Sequence, residues 1–252
     1  MPYMDRTIYI AGSSKAVKYA GRCLQGTGFT VLPDLSHHAD YILLDVPSFN
    51  PVGLLRDGSS VGQLLRELSH DTVIIGGNLK QPELEGYKTL DLLQDEQYAA
   101  DNAYLTAEAA LDVALPYLDI TVRDCPVLIL GWGRIGKCLS RLLRALGAKV
   151  TVAARKETDR AALHSLGYQT ADSTDLPTLS PYRLIFNTIP KLLVTRDQMV
   201  KCHPACVKID LASCPGMDDE DVIIARGLPG IHFPESSGML MAETILRKEN
   251  LL

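Results

Sequence analysis

One glycine-rich segment constrains the fold of this chain more than any other. An apolar run over 127–130 ends in the pattern Gly-x-Gly-x-x-Gly, which occupies 131–136. A helical pattern of apolar residues continues to about 146, and a second strand pattern covers 149–154. Strand, glycine turn, helix and strand in this order form the first half of a dinucleotide-binding fold. The sequence therefore predicts a parallel α/β sheet with a nucleotide site at the glycine turn.

The three glycines of this motif have separate expected roles. Gly131 lets the chain turn sharply off the strand, Gly133 leaves room for a pyrophosphate, and Gly136 lets the helix pack closely on the sheet. The free amides and the dipole at the start of the helix favour a bound anion. The predicted cofactor contacts in this loop are Gly131, Trp132, Gly133, Arg134, Ile135 and Gly136.

The end of the second strand indicates which dinucleotide binds. NAD sites usually have an acidic residue there, which accepts hydrogen bonds from the ribose 2′-hydroxyl. Here the strand ends in Ala154, Arg155 and Lys156, and the first carboxylate is Glu157 in the next helical stretch. A small residue followed by two cations suits a 2′-phosphate, because a guanidinium pairs bidentately with phosphate. We therefore predict NADP; the alternative is a solvated helix start.

Two later loops are expected to reach the same cleft, because ligands of parallel sheets bind outside the carboxyl ends of the strands. Each loop follows an apolar strand pattern and is rich in small or turn-forming residues. The predicted cofactor contacts are Thr188, Ile189 and Pro190 in the first loop, and Leu211, Ala212 and Ser213 in the second. The alternative for each loop is an ordinary capped turn.

The first hundred residues predict a second α/β domain. Strand patterns lie at 7–10, 29–32, 41–44 and 72–75, with helical patterns between them. A long helical pattern over 96–118 predicts a connecting helix. The fold class is therefore α/β, with two Rossmann-like parallel-sheet domains joined by a long connecting helix. The expected domains are 1–118 and 119–235, and a C-terminal helix over 236–252 is expected to pack back on the first domain.

Composition excludes several classes of protein. A net charge of −5 and the lack of a long Lys/Arg run argue against a nucleic-acid binder. No apolar run is long enough to span a bilayer and no signal-peptide pattern is found, so we expect a cytoplasmic protein without membrane association. The six cysteines are not spaced as a disulfide scaffold. Cys202, His203, Cys206 and Cys214 match no common zinc module, so no metal is predicted.

Five motifs, taken in order, resemble the A subunit of bacterial dipicolinate synthase. They are 130–136, 145–148 with 152–155, 187–190, 210–213 and 227–230, and the resemblance runs through most of 100–245. It implies an NADP-dependent oxidoreductase that makes dipicolinate from a dihydrodipicolinate-type precursor during sporulation. The partner that it implies is a flavoprotein-like B subunit, and we also expect a homo-oligomer. It implies that the glycine loop and Arg155 bind NADP, while the loops at Thr188 and Ser213 flank the nicotinamide.

Two residues are the candidates for proton transfer in this reaction. The resemblance implies that Glu108 and the turn at 227–230 face the substrate side of the cleft. Glu108 lies on an apolar helix, where a buried carboxylate needs a partner. His232 follows the turn, and the intrinsic pKa of histidine suits acid–base work. A hydrogen-bonded structural role is the alternative for His232.

Two positions leave other functions open. Glu235 stands where the family has a lysine that could pair with a dicarboxylate. This favours the first alternative, a non-catalytic NADP-binding regulatory or partner subunit. The second alternative is a D-2-hydroxyacid dehydrogenase-like enzyme, although Cys214 stands where that family places an arginine. The main hypothesis is an oxidoreductase acting on dihydrodipicolinate or a related small carboxylate.

Overall fold

The computed structural model describes residues 6–35 and 39–249 of the chain. These residues form two compact units, each with its own parallel sheet. The first unit holds the described residues up to Leu105 and those from Pro229 onward, and the second holds Thr106–Leu228. The predicted α/β class with two parallel sheets is therefore confirmed. The last three residues of the expected C-terminal helix, 250–252, lie outside the described part.

The first unit contains five strands and packs helices against them. The strands are β1 (Arg6–Ile10), β2 (Phe29–Leu32), β3 (Tyr41–Leu43), β4 (Val73–Gly76) and β5 (Lys88–Asp91). All pairs are parallel, in the order β2-β1-β3-β4-β5. The helices in chain order are α1 (Lys15–Gln25) and α2 (Val61–Leu65). Short 3-10 helices cover Pro82–Leu84 and Leu92–Gln94.

Helix α3 (Glu96–Ala114) contains the boundary between the two units. It is shorter than the expected span of 96–118, because Pro116 removes a backbone donor and disfavours a helical residue before it. The chain continues instead as a 3-10 helix over Leu115–Tyr117. None of the helices within the described part of the chain is long and apolar enough to cross a membrane.

The second unit has a six-stranded parallel sheet. Its strands are β6 (Pro126–Leu130), β7 (Lys149–Ala154), β8 (Gln169–Asp172), β9 (Leu184–Asn187), β10 (Val207–Asp210) and β11 (Ile223–Ile224). Its helices are α4 (Arg134–Ala145), α5 (Glu157–Ser165) and α6 (Arg196–Met199), and α7 (Leu228–His232) begins at its last residue.

The strand order of this sheet, β11-β10-β9-β6-β7-β8, places its switch point between β6 and β9. From these two central strands the chain winds outward in opposite directions, which opens a crevice at their carboxyl ends. Val127, Leu128, Ile129 and Leu130 in β6 are fully buried, as expected for a strand covered on both faces. The crevice is where a dinucleotide binds in folds of this class.

The final helix of the first unit is α8 (Pro234–Glu249), and it packs on α1. Gly238 makes this contact possible, because a Cβ there would overlap the backbone of Ala16 and Ala20. Met241 and Ile245 of the same helix are buried in the apolar cluster beneath the sheet. The helix is therefore an integral part of the core of the first unit.

Candidate functional site

The glycine loop follows β6, and its three glycines have different surroundings. Gly131 has a φ of +112°, a region that favours glycine, and a Cβ there would overlap the hydroxyl of Thr188. A Cβ on Gly136 would overlap the carbonyl oxygen of Gly131. Apart from Gly133 itself and its neighbours along the chain, no described atom lies within 4 Å of the position that a Cβ on Gly133 would take. Two glycines thus serve packing, and the third borders open space.

Helix α4 begins beside this open space. Its N-cap is Gly133, which has no side chain to occupy the first amides, and its first turn carries no acidic residue. The helix runs for 12 residues, so its first N–H groups and its dipole favour an anion at this end. Arg134 and Ile135 lie in the first turn. The loop and the helix start therefore fit the pyrophosphate of a dinucleotide.

A cleft of about 400 Å³ lies beside the loop, within the second unit. Nine of the predicted cofactor contacts line it: 131–133 in the loop, 154–156 after β7 and 188–190 after β9. The other six, 134–136 in α4 and 211–213 after β10, are not among the lining residues. These nine residues come from three separate turns at the carboxyl edge of one sheet.

The wall of this cleft after β7 is cationic. Arg155 and Lys156 are exposed, and Lys156 is the N-cap of α5. The first turn of α5 carries Glu157 and Asp159, and Asp159 also lines the cleft. No carboxylate occupies the end of β7 itself, where an NAD site usually has one. This wall therefore presents two cations and one carboxylate, Asp159, to the cleft.

Five lining residues are absent from the predicted cofactor contacts. They are Asp159, Ser173, Thr174, Lys191 and Leu193. Two of them follow β8, an edge strand with the polar sequence Gln-Thr-Ala-Asp that no apolar pattern identifies. Ser173 and Thr174 could have been predicted only from their place after a strand, since all parallel strands of this sheet end at the same edge.

Thr188 ties the loop after β9 to the strand beside it. Its amide and its hydroxyl both donate to the carbonyl oxygen of Leu130, each at 2.9 Å. The hydroxyl oxygen also lies against Gly131. The hydroxyl proton is therefore engaged within the protein, and what Thr188 presents to the cleft is an acceptor oxygen.

A buried polar pair shapes the loops after β9 and β10. The amide nitrogen Nδ2 of Asn187 donates to Asp210 Oδ1 at 3.2 Å and to the Ile189 carbonyl oxygen at 3.0 Å. Asp210 also accepts from the amides of Ala212 (2.9 Å) and Gly216 (2.7 Å). Sequence reasoning missed this pair; its signal is a polar residue that closes an otherwise apolar strand. Through these hydrogen bonds the buried pair holds the backbone of both loops in place.

Trp132 is held at the rim of the cleft by its neighbours. Its ring meets the Tyr168 ring edge to face, with centroids 6.0 Å apart. The ammonium of Lys137 lies 5.7 Å from the indole centroid, within the range of a cation–π contact. An indole that lines the cleft in a fixed setting is suited to report binding by its fluorescence.

The two predicted proton-transfer residues lie in different units. Glu108 is on α3 in the second unit and its side chain is exposed, so the expectation of a buried carboxylate is wrong. The reason is the helix phase: Ala103, Ala107 and Ala110 share the buried stripe, and position 108 lies off it. His232 ends α7 in the first unit, is half-buried and has its ring centroid 6.4 Å from that of Phe233. Both catalytic assignments stay predictions.

The cysteines and acidic residues of the described chain form no cluster suited to a metal. Within 6–35 and 39–249, no three His, Cys, Asp or Glu side chains form a group that could hold a metal ion. Cys202 and Cys206 do lie together: the pKa of Cys206 is raised by its hydrogen bond with Cys202 and by burial. Cys214 is exposed on the loop after β10.

Comparison with known proteins gives one consistent result. No protein-family model matches the chain. The A subunit of dipicolinate synthase from Bacillus subtilis (strain 168) is 29% identical over 167 residues, which span 63% of this chain and 56% of that relative. The crystal structure of the A subunit of dipicolinate synthase from Bacillus halodurans has a TM-score of 0.85 at 23% identity, covering 97% of this chain and 98% of that chain.

A more distant structure extends the likeness. Transhydrogenase from Sinorhizobium meliloti has a TM-score of 0.71 at 16% identity, covering 98% of this chain and 94% of that chain. The resemblance to the A subunit of dipicolinate synthase that the motifs predict is thus confirmed in sequence and in fold. The matched region spans little more than half of the curated relative. The chain thus shares the fold of the A subunit of dipicolinate synthase and of transhydrogenase.

Proposed function

We propose that this protein is a cytoplasmic NADP-dependent oxidoreductase, similar to the A subunit of dipicolinate synthase, with a role in sporulation. Its substrate is dihydrodipicolinate or a related small carboxylate. The observation that carries the proposal is the cleft beside the glycine loop, where an uncapped helix start and the cations Arg155 and Lys156 line one cavity. The likeness to the A subunit of dipicolinate synthase supports the choice of substrate.

The choice of NADP rests on the charge of the wall after β7. Arg155 and Lys156 are exposed there, and Ala154 occupies the position where an NAD site has its carboxylate. A 2′-phosphate brings about two negative charges, which the guanidinium of Arg155 can meet with paired hydrogen bonds. The 2′-hydroxyl of NAD offers no such charge to either cation. NADP is therefore expected to bind more tightly than NAD.

The protein residues have three tasks in this reaction. A bound nicotinamide supplies or accepts the hydride. The amides of the glycine loop and the start of α4 hold the pyrophosphate, and the loops at Thr188 and Ser213 orient the nicotinamide ribose. A proton must move at the substrate, for which we propose Glu108 or His232. The exposure of Glu108 in the free protein gives its carboxylate access to solvent protons.

Two alternative functions remain, and each depends on one residue outside the glycine loop. A non-catalytic NADP-binding regulatory or partner subunit is favoured by Glu235, which is exposed in the first turn of α8 and would repel a dicarboxylate. The D-2-hydroxyacid dehydrogenase alternative lacks an arginine at the loop after β10, where Cys214 is exposed. A flavoprotein-like B subunit is the proposed partner of the active form, and the chain itself is proposed to form a homo-oligomer.

The cofactor site is tested by titrating the whole protein with NADPH and with NADH while the fluorescence of Trp132 is followed. We expect NADPH to bind at least about tenfold more tightly than NADH, and Arg155→Ala to abolish most of this difference. Arg123→Ala is the matched control, since Arg123 precedes β6 at the opposite edge of the sheet and its side chain is 84% exposed. It should bind as the wild type does.

Nucleotide binding and turnover, measured in that order, distinguish the proposed functions. Equal or absent binding of both dinucleotides would overturn the NADP site. If NADPH binds, turnover is then measured with dihydrodipicolinate, with and without a flavoprotein B subunit. Turnover supports the oxidoreductase, whereas tight binding without turnover under both conditions supports the non-catalytic subunit. Activity that appears only in Glu235→Lys would indicate that this residue changed the substrate.

A further inference from the structure

Arg160 of α5 is positioned to act on the cleft without lining it. Its Nη1 donates to the carbonyl oxygen of Ala154 at 2.9 Å and to that of Arg155 at 2.8 Å. The same nitrogen lies 2.9 Å from Asp172 Oδ2. The side chain is mostly buried, with 24% of its surface exposed. One guanidinium therefore holds the backbone from which the Arg155 side chain projects.

Asp172 connects this contact to the neighbouring wall. It is the last residue of β8 and the register partner of Ala154. Its Oδ1 accepts from the amide of Thr174 at 2.8 Å and from the Thr174 hydroxyl at 2.7 Å. These hydrogen bonds and Arg160 hold the pKa of Asp172 below its usual value. The pair thus links the turn after β7 to the turn after β8, and both turns line the cleft.

We propose that Arg160 is a positioning residue that maintains the preference of the cleft for a 2′-phosphorylated ribose, and that it does so by neutralising Asp172. Arg160 holds the turn that carries Arg155 and neutralises a carboxylate one strand away. Without Arg160, Asp172 would place an uncompensated negative charge beside the phosphate. The loss of Arg160 would also free an acceptor of the kind that binds a ribose 2′-hydroxyl in NAD sites. The inference rests on the proposed NADP site and adds to it a residue that maintains its selectivity.

Two substitutions of Arg160 separate the effect of its charge from the effect of its hydrogen-bonding geometry. A lysine at 160 keeps the positive charge beside Asp172 but has no fork with which to bridge carbonyl oxygens and a carboxylate. A methionine keeps the length and the helix propensity but removes the charge. Asp172→Asn removes the negative charge while leaving an oxygen that can accept from Thr174. If Arg160 acts by neutralising Asp172, Arg160→Met alone should lower the preference for NADPH. Adding Asp172→Asn should then restore that preference, because it removes the unpaired negative charge.

The experiment is a double-mutant cycle read as the ratio of the NADPH and NADH dissociation constants. We expect Arg160→Met to weaken NADPH about tenfold and NADH less than about threefold. Asp172→Asn should leave the ratio near that of the wild type. The double variant Arg160→Met/Asp172→Asn should recover the wild-type ratio to within about threefold, and Arg160→Lys should retain most of it.

Asp124→Asn is the matched control, because Asp124 is an exposed carboxylate at the opposite edge of the same sheet, 3.4 Å from Lys149 Nζ, whereas the guanidinium of Arg160 pairs with Asp172. Combined with Arg160→Met, it should not restore the ratio as Asp172→Asn does. Equal loss of NADPH and NADH in Arg160→Met would overturn the inference and leave a structural role. So would a double variant as poorly selective as the single one. A wild type that prefers neither dinucleotide would overturn the NADP proposal itself.

Discussion

Gly133 and Gly136 belong to one motif but are constrained for opposite reasons. Apart from its neighbours along the chain, a methyl group on Gly133 meets no described atom within 4 Å, and the residue has an ordinary φ of −80°. A methyl group on Gly136 would overlap the carbonyl oxygen of Gly131. At Gly133 the space is open to the proposed ligand, whereas at Gly136 it is taken by the protein.

These surroundings predict two distinct phenotypes. Gly133→Ala should lower the free energy of unfolding by about 1 kcal/mol or less, which is the advantage of glycine over alanine at an N-cap. It should weaken NADPH more than about tenfold, since its methyl group fills the approach of the pyrophosphate. Gly136→Ala should instead destabilise the fold by about 1–3 kcal/mol. Urea unfolding and nucleotide titration of both variants measure the contrast; equal destabilisation by the two would contradict it.

At the scale of elements, apolar pattern explains what the sequence could predict. Strands β6, β7, β9 and β10 are mostly apolar and buried, so the run of apolar residues in the sequence locates them. Strands β5 and β8 lie at sheet edges and carry polar residues, and no pattern marks them. The pairs Asn187–Asp210 and Arg160–Asp172 join residues 23 and 12 positions apart, which only the strand register brings together.

The Asn187–Asp210 pair joins the loop after β9, which lines the cleft, to the loop after β10. Asn187→Ala removes a donor from a carboxylate that is fully buried, and it leaves a space where Gly216 now packs on the amide. We expect a loss of about 1–3 kcal/mol in the free energy of unfolding. Hydrogen exchange should rise in both 188–191 and 211–216. Faster exchange in the first loop alone would show that the loops are independent.

At the scale of the molecule, the C-terminal helix α8 returns to the first unit, and a cluster of ion pairs joins it to the residue before α3. Asp95 precedes α3, and its side chain is only 6% exposed. Arg247 of α8 donates to it at 2.7 and 3.2 Å, and Lys248 lies 2.9 Å away. Asp95 also accepts from the amide of Tyr98 at 2.8 Å. Residues 152 positions apart in sequence are thereby joined.

This cluster predicts how the first unit responds to acid. The hydrogen bond from Arg247 holds the pKa of Asp95 far below its ordinary value. A carboxyl with a lowered folded-state pKa stabilises the fold fully above its unfolded pKa, and the contribution is lost as the pH falls from there toward the folded value. Asp95→Asn should therefore cost about 1–3 kcal/mol at pH 7 and clearly less at about pH 3.

Urea unfolding of the whole chain at these two pH values measures the difference between Asp95→Asn and the wild type. Asp71→Asn, at an exposed carboxylate of the same unit, is the control and should change stability little at either pH. A cost for Asp95→Asn that is the same under both conditions would mean that its charge does not stabilise the fold. The C-terminal helix would then be held by apolar packing, since Met241 and Ile245 are buried in a cluster with residues of α1 and of the sheet.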